Sequence, residues 1–217
     1  GESVLREQVD QHFGAGVDAD SFAAASYLRG HDLAVRWAKA NRELIARRFA
    51  STLGAEAECL WDGRHDSITP SPPAPLPSDG RGWPSGRVRE WVHRKGAVAA
   101  DGDFVVIPGS RGSLTYLVKP TGDGESHAWS LAHGAGRKWS RSEARLRVRE
   151  RFGVQQLVQT GLGGRVICEE RDLLYEEAPA AYKNTQAVIA DLVDAGLVSV
   201  IATFRPLLTY KTRKVRR

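Results

Sequence analysis

The stretch HAWSLAHGAGRKWSRSEAR, residues 127–145, gathers residue types that could carry phosphate chemistry. His133 precedes a Gly-Ala-Gly turn, and Arg137 follows directly after that turn. Imidazole can act as a nucleophile, glycines let a phosphate approach backbone amides, and arginine can clamp phosphate oxygens. On its own the pattern leaves two interpretations open, a nucleophilic histidine or a polar residue held in a glycine turn.

A second histidine, His65, lies in the turn DGRHDSI after an expected strand. Imidazole binds manganese together with carboxylates and water, but a single histidine does not make a metal site. The two cysteines, Cys59 and Cys168, form neither a disulfide framework nor a C-x-x-C zinc pair. We interpret both as buried or reduced thiols.

Periodicity and capping residues predict the helices that position these groups. Residues repeating at three and four predict a helix from Ser21 to about Ala50, divided at Gly30. The sequence SRSE, 140–143, fits a capping box and predicts a helix that continues to about Gly153. A last helix is predicted over 184–195, capped by an asparagine and followed by a glycine.

Strands are expected where apolar, β-favouring residues run between turn signals, at 55–61, 103–107, 114–119 and 197–204. Six prolines over 69–86 deny the backbone amides that a central strand or helix needs, and predict a surface loop. The alternation of element types without a repeat predicts an α+β fold, as a single domain over 1–217 with a basic tail at 212–217.

The charge balance is compatible with a polyanionic partner. The net charge is +5, and seven of the 31 basic residues are lysine, which leaves 24 arginines suited to bidentate phosphate contacts. An arginine-rich proteome gives the same bias, so charge alone does not identify the partner. The sequence contains no apolar run long enough for a membrane span and no signal-peptide pattern, which predicts a soluble, cytoplasmic protein without a membrane partner.

Six further stretches occur in this order: WDGRHDSI (61–68), WVHRKGA (91–97), IPGSRGSLTY (107–116), HGAGRKWSRSEA (133–144), YEEAPAAYKN (175–184) and RPLLTYK (205–211). Together they resemble the RtcB-type RNA ligases, a GTP-dependent family that joins broken RNA ends. The segment 30–48 resembles the family's helix before a metal-binding histidine. These ordered matches extend over nearly the whole chain, so the chain is identified as a member of this family.

The resemblance implies manganese and GTP as cofactors and a covalent histidine–guanylate intermediate, with His133 matching the guanylylated nucleophile. In the family, the 3′-phosphate of one RNA, often generated from a 2′,3′-cyclic phosphate, is activated as an RNA–ppG species. The 5′-hydroxyl of the second RNA then attacks and releases GMP. Metals and arginine would neutralise charge on the phosphate oxygens, so Arg137 is expected on a phosphate.

The resemblance also implies roles for further residues. His65 matches a manganese ligand, although Asp66 stands where the family usually has asparagine. Residues expected at the bound guanylate include Tyr182, which would stack on the base, and Lys211, which would reach the base edge; the others are Ser110, Thr115, Gly134, Ala135 and Gly136. Expected RNA and phosphate contacts, besides Arg137, are Arg94, Lys95 and Arg141.

Three other motifs of the family, D-x-G-x-G-x-x-C, G-x-G-N-H-F and H-x-G-S-R-G, do not occur in this sequence. They supply the remaining metal ligands and a guanine-facing carboxylate, so we expect residues 1–217 to be the C-terminal half of a ligase, with Gly1 similar to the last glycine of R-G-L-G. Activity would then need the N-terminal half, from the same or a separate chain. A non-catalytic RNA-binding protein and a metal-dependent phosphoesterase remain alternatives, the second weaker because only one candidate ligand histidine is present.

Overall fold

The structure, a computed structural model, describes residues 21–63, 66–71 and 90–212. The chain divides into two compact units, residues 1–95 and 96–217, which are described separately. Helices and small sheets occur together in the described residues, which confirms the mixed α and β class. Among these residues, no helix is both long and apolar enough to cross a membrane.

The described part of the first unit begins with a long helix, α1 (Phe22–Thr52). Ser21 caps it, because the Ser21 hydroxyl accepts a hydrogen bond from Ala24 N at 3.1 Å. The predicted division at Gly30 is wrong, since α1 continues through it. A glycine costs a helix only about 1 kcal/mol relative to alanine, which good helix formers on both sides outweigh.

The predicted strand over 55–61 is also wrong, because residues 55–63, all of them described, form no strand. A strand needs a partner, whereas here the anchor is an ion pair in which Arg42 of α1 donates to both carboxylate oxygens of Asp62, at 2.6 and 2.8 Å. Among the described residues of this unit, β1 (Ile68–Ser71) and β2 (Glu90–His93) are strands, paired antiparallel.

Strand β1 corrects the start of the predicted proline-rich loop, because residues 69–71 belong to it. A two-stranded ribbon has an outer edge on each strand, where a proline needs no ladder partner. Residues 72–86 of that loop lie outside the described residues, as does the tail beyond Thr212.

Residues 96–212 of the second unit form three small sheets. The largest is antiparallel, in the order β4–β5–β8, and consists of β4 (Val105–Ile107), β5 (Thr115–Pro120) and β8 (Val198–Phe204). These strands confirm the predictions at 103–107, 114–119 and 197–204. The second sheet pairs β3 (Ala97–Ala99) antiparallel with β6 (Ser130–Ala132), and the third pairs β7 (Arg165–Cys168) parallel with β9 (Leu208–Thr212).

The helices of the second unit begin where the capping residues predict. Ser140 and Glu143 form the capping box of α2 (Arg141–Arg151), and Asn184 caps α5 (Thr185–Asp194) by accepting from Gln186 N. Between them lie α3 (Val154–Leu157), α4 (Arg171–Glu176) and a 3-10 turn at Pro179–Ala181. A second 3-10 turn, Glu125–His127, precedes β6.

Two apolar clusters hold this unit together. The first contains the inward side chains of the largest sheet, among them Val105, Ile107 and Val118, with Ile189 of α5 packed against them. The second contains Val148 of α2, with Leu157, Val166, Leu174, Tyr175 and Ala178. Burial of these side chains fixes the loops that carry most of the predicted site residues.

Candidate functional site

Strand β6 places His133 at the start of the glycine-rich turn. His133 N donates to Gly96 O at 3.4 Å, which extends the pairing of β6 with β3 by one residue. The side chain of His133 is half-buried. A β carbon at Gly96 would lie 4.0 Å from His133 Nε2, so the glycine lies directly beside the imidazole.

The two glycine-rich turns of this unit contact each other. Gly134 has φ +155°, and a β carbon there would lie 3.2 Å from the carbonyl oxygen of Pro108. A β carbon at Gly109 would lie only 2.1 Å from Leu114 O. Both positions therefore require glycine: Gly109 lets its own loop close at Leu114, and Gly134 lets the loop 108–113 lie against the turn that carries His133.

The two predicted hydroxyl residues of the first loop are engaged within it. Ser110 Oγ lies 2.9 Å from Ser113 Oγ and accepts from Gly112 N at 3.3 Å. Thr115 Oγ1 accepts from Gly109 N at 3.2 Å. These bonds fix the shape of a loop whose Pro108 lies beside Gly134. Contact of Ser110 and Thr115 with a bound guanylate stays a prediction.

Backbone pairing joins the His133 turn to the segment around Tyr182. Arg137 and Tyr182 form an antiparallel bridge, flanked by Lys138 N donating to Ala181 O at 2.8 Å and Lys183 N donating to Gly136 O at 3.0 Å. Gly136 has φ +74°, a left-handed conformation that turns the chain into this pairing. The predicted nucleophile, His133, and the predicted base-stacking residue, Tyr182, thus lie on two segments that are joined by backbone hydrogen bonds.

All three nitrogens of the Arg137 guanidinium donate hydrogen bonds to protein groups. Nε donates to Trp139 O at 3.1 Å, Nη2 to Glu176 O at 2.6 Å, and Nη1 to the Tyr182 hydroxyl at 3.0 Å. Nη1 also donates to Glu177 Oε1 at 3.2 Å. Arg137 Cζ lies 4.9 Å from the centroid of the Tyr182 ring, within cation–π range. Its contact with a phosphate stays a prediction.

Glu177 is the residue at the centre of this cluster, and sequence reasoning did not single it out. The Tyr182 hydroxyl donates to Glu177 Oε2, and Lys211 Nζ lies 3.7 Å from the same oxygen. The stretch YEEAPAAYKN places two acids near Tyr182, but only the fold decides which one turns inward. The Glu176 carboxylate instead lies 3.8 Å from Arg145.

The surroundings of Glu177 and Tyr182 shift the pKa values of both side chains. Burial opposes the charge of Glu177, but the hydrogen bond from Tyr182 and the charges of Lys211, Arg137 and Arg141 outweigh it and lower the pKa of the carboxyl group. The pKa of Tyr182 is raised, first by burial and then by the hydrogen bond to Glu177 and its charge. The cluster therefore holds a carboxylate and a neutral phenol near neutral pH.

A second residue missed by sequence reasoning, Arg111, is buried at 7% exposure. Its Nη2 donates to Leu174 O at 2.9 Å, whereas Nε and Nη1 have no hydrogen-bond partner in the described part of the chain. Burial lowers the pKa of Arg111, and the nearby Cys168, Glu177 and Tyr182 oppose this shift. Arg111 thus binds the C-terminal end of α4, one turn before Glu177.

The predicted RNA contacts differ in exposure. In the first unit, Arg94 is 3% exposed and donates from Nη1 to Thr69 Oγ1 at 2.6 Å, whereas Lys95 is exposed and lies 3.0 Å from Asp66. In the second unit, Arg141 is exposed at the start of α2. Only Lys95 and Arg141 of these three present an accessible charge.

The predicted metal ligand His65 lies outside the described residues. Over 21–63, 66–71 and 90–212, no group of three or more histidine, cysteine, aspartate or glutamate side chains could hold a metal ion. Both cysteines are free; Cys59 is exposed and Cys168 is partly buried. Manganese binding therefore stays a prediction.

Comparison with known proteins gives the family. The family model described as tRNA-splicing ligase RtcB matches residues 6–212. The chain is 40% identical over 211 residues to RNA-splicing ligase RtcB2 of Escherichia coli. This match covers 97% of this chain and 52% of that protein. The chain is 30% identical over 219 residues to tRNA-splicing ligase RtcB of Thermococcus kodakarensis, covering 93% of this chain and 42% of that protein.

The chain belongs to the RtcB family, which confirms the resemblance found in the sequence. RNA-splicing ligase RtcB of Mycobacterium tuberculosis also matches, with 29% identity over 206 residues, 84% of this chain and 44% of that protein. The chain spans about half the length of these curated relatives.

Proposed function

We propose that this chain is the C-terminal portion of a GTP- and manganese-dependent RNA ligase. It would join an RNA that ends in a 2′,3′-cyclic phosphate or 3′-phosphate to an RNA with a 5′-hydroxyl. The observation that supports this most directly is the backbone pairing of the His133 turn with the Tyr182 segment at Arg137. That pairing joins a candidate nucleophile to a candidate purine site.

In this proposal the guanine base stacks on Tyr182. Arg137 lies over one face of the ring, so the base would use the opposite face. Lys211 would donate to guanine O6, because an ammonium group is a donor and the oxygen is an acceptor. The turn 134–136 and the loop that carries Ser110 and Thr115 would line the nucleotide, since glycines permit close approach to backbone amides.

The chemistry would proceed in three transfers. His133 attacks the α-phosphorus of GTP, forms an N–P bond and displaces pyrophosphate. Where the RNA ends in a 2′,3′-cyclic phosphate, water must first open the ring to a 3′-phosphate. An oxygen of the RNA 3′-phosphate then attacks the α-phosphorus of the guanylate, which breaks the N–P bond, frees His133 and gives RNA–ppG. Finally, the 5′-hydroxyl of the second RNA attacks the RNA phosphate, loses its proton and releases GMP.

Arginine and lysine side chains would stabilise the charge that develops in these transfers. Arg137 is already oriented beside the nucleophile turn, and the accessible Arg141 and Lys95 are the remaining RNA and phosphate contacts in this proposal. Arg94 is left out of these contacts because it is buried against Thr69. Manganese would neutralise non-bridging phosphate oxygens. We assign His65 as one metal ligand, and residues of the N-terminal half, in the same or a separate chain, as the others.

An RNA-joining assay tests the proposal. The chain, supplied with the N-terminal half, is incubated with GTP, manganese and two RNA fragments, one ending in a 2′,3′-cyclic phosphate and one beginning with a 5′-hydroxyl. We expect a joined product that requires GTP and disappears with His133→Ala. RNA retention without any joining would contradict the ligase and favour a non-catalytic RNA-binding protein.

A further inference from the structure

Three side chains of the proposed nucleotide site converge on one carboxylate. Glu177 accepts hydrogen bonds from the Tyr182 hydroxyl and from Arg137 Nη1, and Lys211 Nζ lies 3.7 Å away. The Glu177 side chain is only 14% exposed, so water cannot readily replace these partners. A displacement of this carboxylate would disturb all three partners at once.

We propose that Glu177 is the positioning residue of the guanine site and sets its preference for guanine over adenine through Lys211 and Tyr182. This inference rests on the proposed nucleotide-binding function. Glu177 acts through its neighbours, because both of its carboxylate oxygens already accept from protein donors.

Lys211 is the group whose placement matters most for the choice of base. Guanine presents an acceptor at position 6, whereas adenine presents an amino donor there, and a lysine can only donate. A donor that a bound base covers and leaves unpaired is costly, so a correctly placed ammonium discriminates against adenine. Lys211 has a flexible stem and is 37% exposed, and the ion pair with Glu177 restricts where its ammonium can lie.

Tyr182 depends on the same carboxylate for its orientation. Its hydroxyl donates to Glu177 and accepts from Arg137, and the Arg137 guanidinium lies over its ring. Two hydrogen bonds at the hydroxyl and one occupied face fix the plane of the ring. The stacking surface is thereby set before a base arrives, which reduces the entropy cost of binding.

The backbone beneath Glu177 is anchored from two sides. Arg111 Nη2 donates to Leu174 O, and Arg137 Nη2 donates to Glu176 O. Glu177 N donates to Leu173 O at 3.1 Å and closes the last turn of α4. Cations at a helix C-terminus are favourable, so this end of α4 is a firm base for the carboxylate.

A pair of matched variants tests the proposal. Glu177→Gln keeps the size of the side chain and removes its charge, and Glu176→Gln makes the same change at the preceding residue, whose carboxylate lies near Arg145. Dissociation constants of fluorescent GDP and ADP analogues are measured for the chain supplied with the N-terminal half. We expect the preference for GDP over ADP to fall about tenfold in Glu177→Gln, which corresponds to the loss of about one polar interaction between Lys211 and the base. The preference should persist in Glu176→Gln.

A second readout needs no nucleotide. The ultraviolet absorbance of tyrosinate is followed against pH, and the Tyr182 contribution is isolated by subtracting the curve of Tyr182→Phe. Arg137 and Glu177 contact the Tyr182 hydroxyl, and Lys211 lies beside Glu177. The charge of Arg111 acts on Tyr182 and Glu177, and the charge of Arg141 acts on Glu177. We expect Tyr182 to ionise at lower pH in Glu177→Gln than in the wild type or Glu176→Gln.

An unchanged GDP preference in folded Glu177→Gln, with a wild type that is guanylylated by GTP, would overturn the role of Glu177 and leave the ligase function standing. An unchanged Tyr182 titration would overturn it equally. A wild type that binds neither nucleotide in the presence of the N-terminal half would overturn both proposals. If circular dichroism shows that Glu177→Gln is unfolded, Glu177→Asp, whose shorter carboxylate withdraws from Lys211, takes its place with the same outcomes.

Discussion

The carbonyl oxygen of Pro108 would lie 3.2 Å from a β carbon on Gly134, the residue directly after the candidate nucleophile. Gly134 also has φ +155°, which side-chain-bearing residues rarely adopt. The loop 108–113 and the His133 turn thus lie in contact because one position carries no side chain. This contact brings the predicted Ser110 loop to the predicted nucleophile.

Gly134→Ala should therefore destabilise the protein and displace the two turns. We expect the free energy of unfolding to fall by about 2 kcal/mol, the usual cost of a residue held in a disfavoured backbone conformation. Urea unfolding measures it. Gly161→Ala is the control, because a β carbon there meets no atom within 4 Å, and it should change stability by no more than about 0.5 kcal/mol. Equal effects of the two substitutions would contradict the contact.

Arg111→Met should leave the protein as stable or more stable, by about 1 kcal/mol, because it replaces a buried charge with an apolar side chain of similar length. Two guanidinium nitrogens of Arg111 lack a hydrogen-bond partner in the described residues. Arg111→Ala is the control and should lower stability by leaving a cavity. Thermal unfolding of both variants gives the comparison; a large loss in Arg111→Met would show that the charge itself stabilises the fold.

Alanine substitutions of Arg94 and Lys95, both predicted RNA contacts, should differ in their effect on stability. Arg94 is buried with Thr69 as a partner, so Arg94→Ala should lower the free energy of unfolding by about 2 kcal/mol. Lys95 is exposed, so Lys95→Ala should leave stability within about 0.5 kcal/mol. If Lys95 contacts an RNA phosphate, Lys95→Ala should also reduce the salt dependence of RNA binding by about one phosphate contact. Stability lost on Lys95→Ala but not on Arg94→Ala would reverse this assignment.

The lowered pKa of Glu177 gives a pH dependence of stability. A depressed native pKa means that the ionised carboxylate stabilises the fold above the unfolded value, near 4.5, and that this stabilisation is lost as pH falls through the native value. The difference in unfolding free energy between the wild type and Glu177→Gln should therefore be present at pH 7 and shrink below pH 4.5. Urea unfolding across this range measures it, and Tyr182→Phe should weaken the same pH dependence. A difference that grows in acid would contradict the sign.

Local signals in the sequence predict local elements well. The capping box at Ser140 and the cap at Asn184 start helices α2 and α5 as expected, because a cap and its helix lie within a few residues of each other. The strand expected at 55–61 fails, since strand formation depends on a distant partner that the segment itself does not encode.

The candidate site likewise contains residues that the sequence identifies and residues that only the fold identifies. Motif order locates His133, Tyr182 and Lys211 on the sequence, and the fold places two of them on paired segments. Glu177 and Arg111 escape sequence reasoning because their importance comes from the direction in which they turn. Tertiary packing around α4 decides that Glu177, and not Glu176, turns inward. No local sequence pattern encodes that choice.

The central claim is that His133 becomes guanylylated, and a labelling experiment tests it most directly. The chain is incubated with α-labelled GTP and manganese, with and without the N-terminal half, and separated by denaturing electrophoresis beside His133→Ala. We predict label on the chain when the N-terminal half is present and none on His133→Ala. No label on the wild type with the N-terminal half present, or equal label on His133→Ala, would contradict the mechanism.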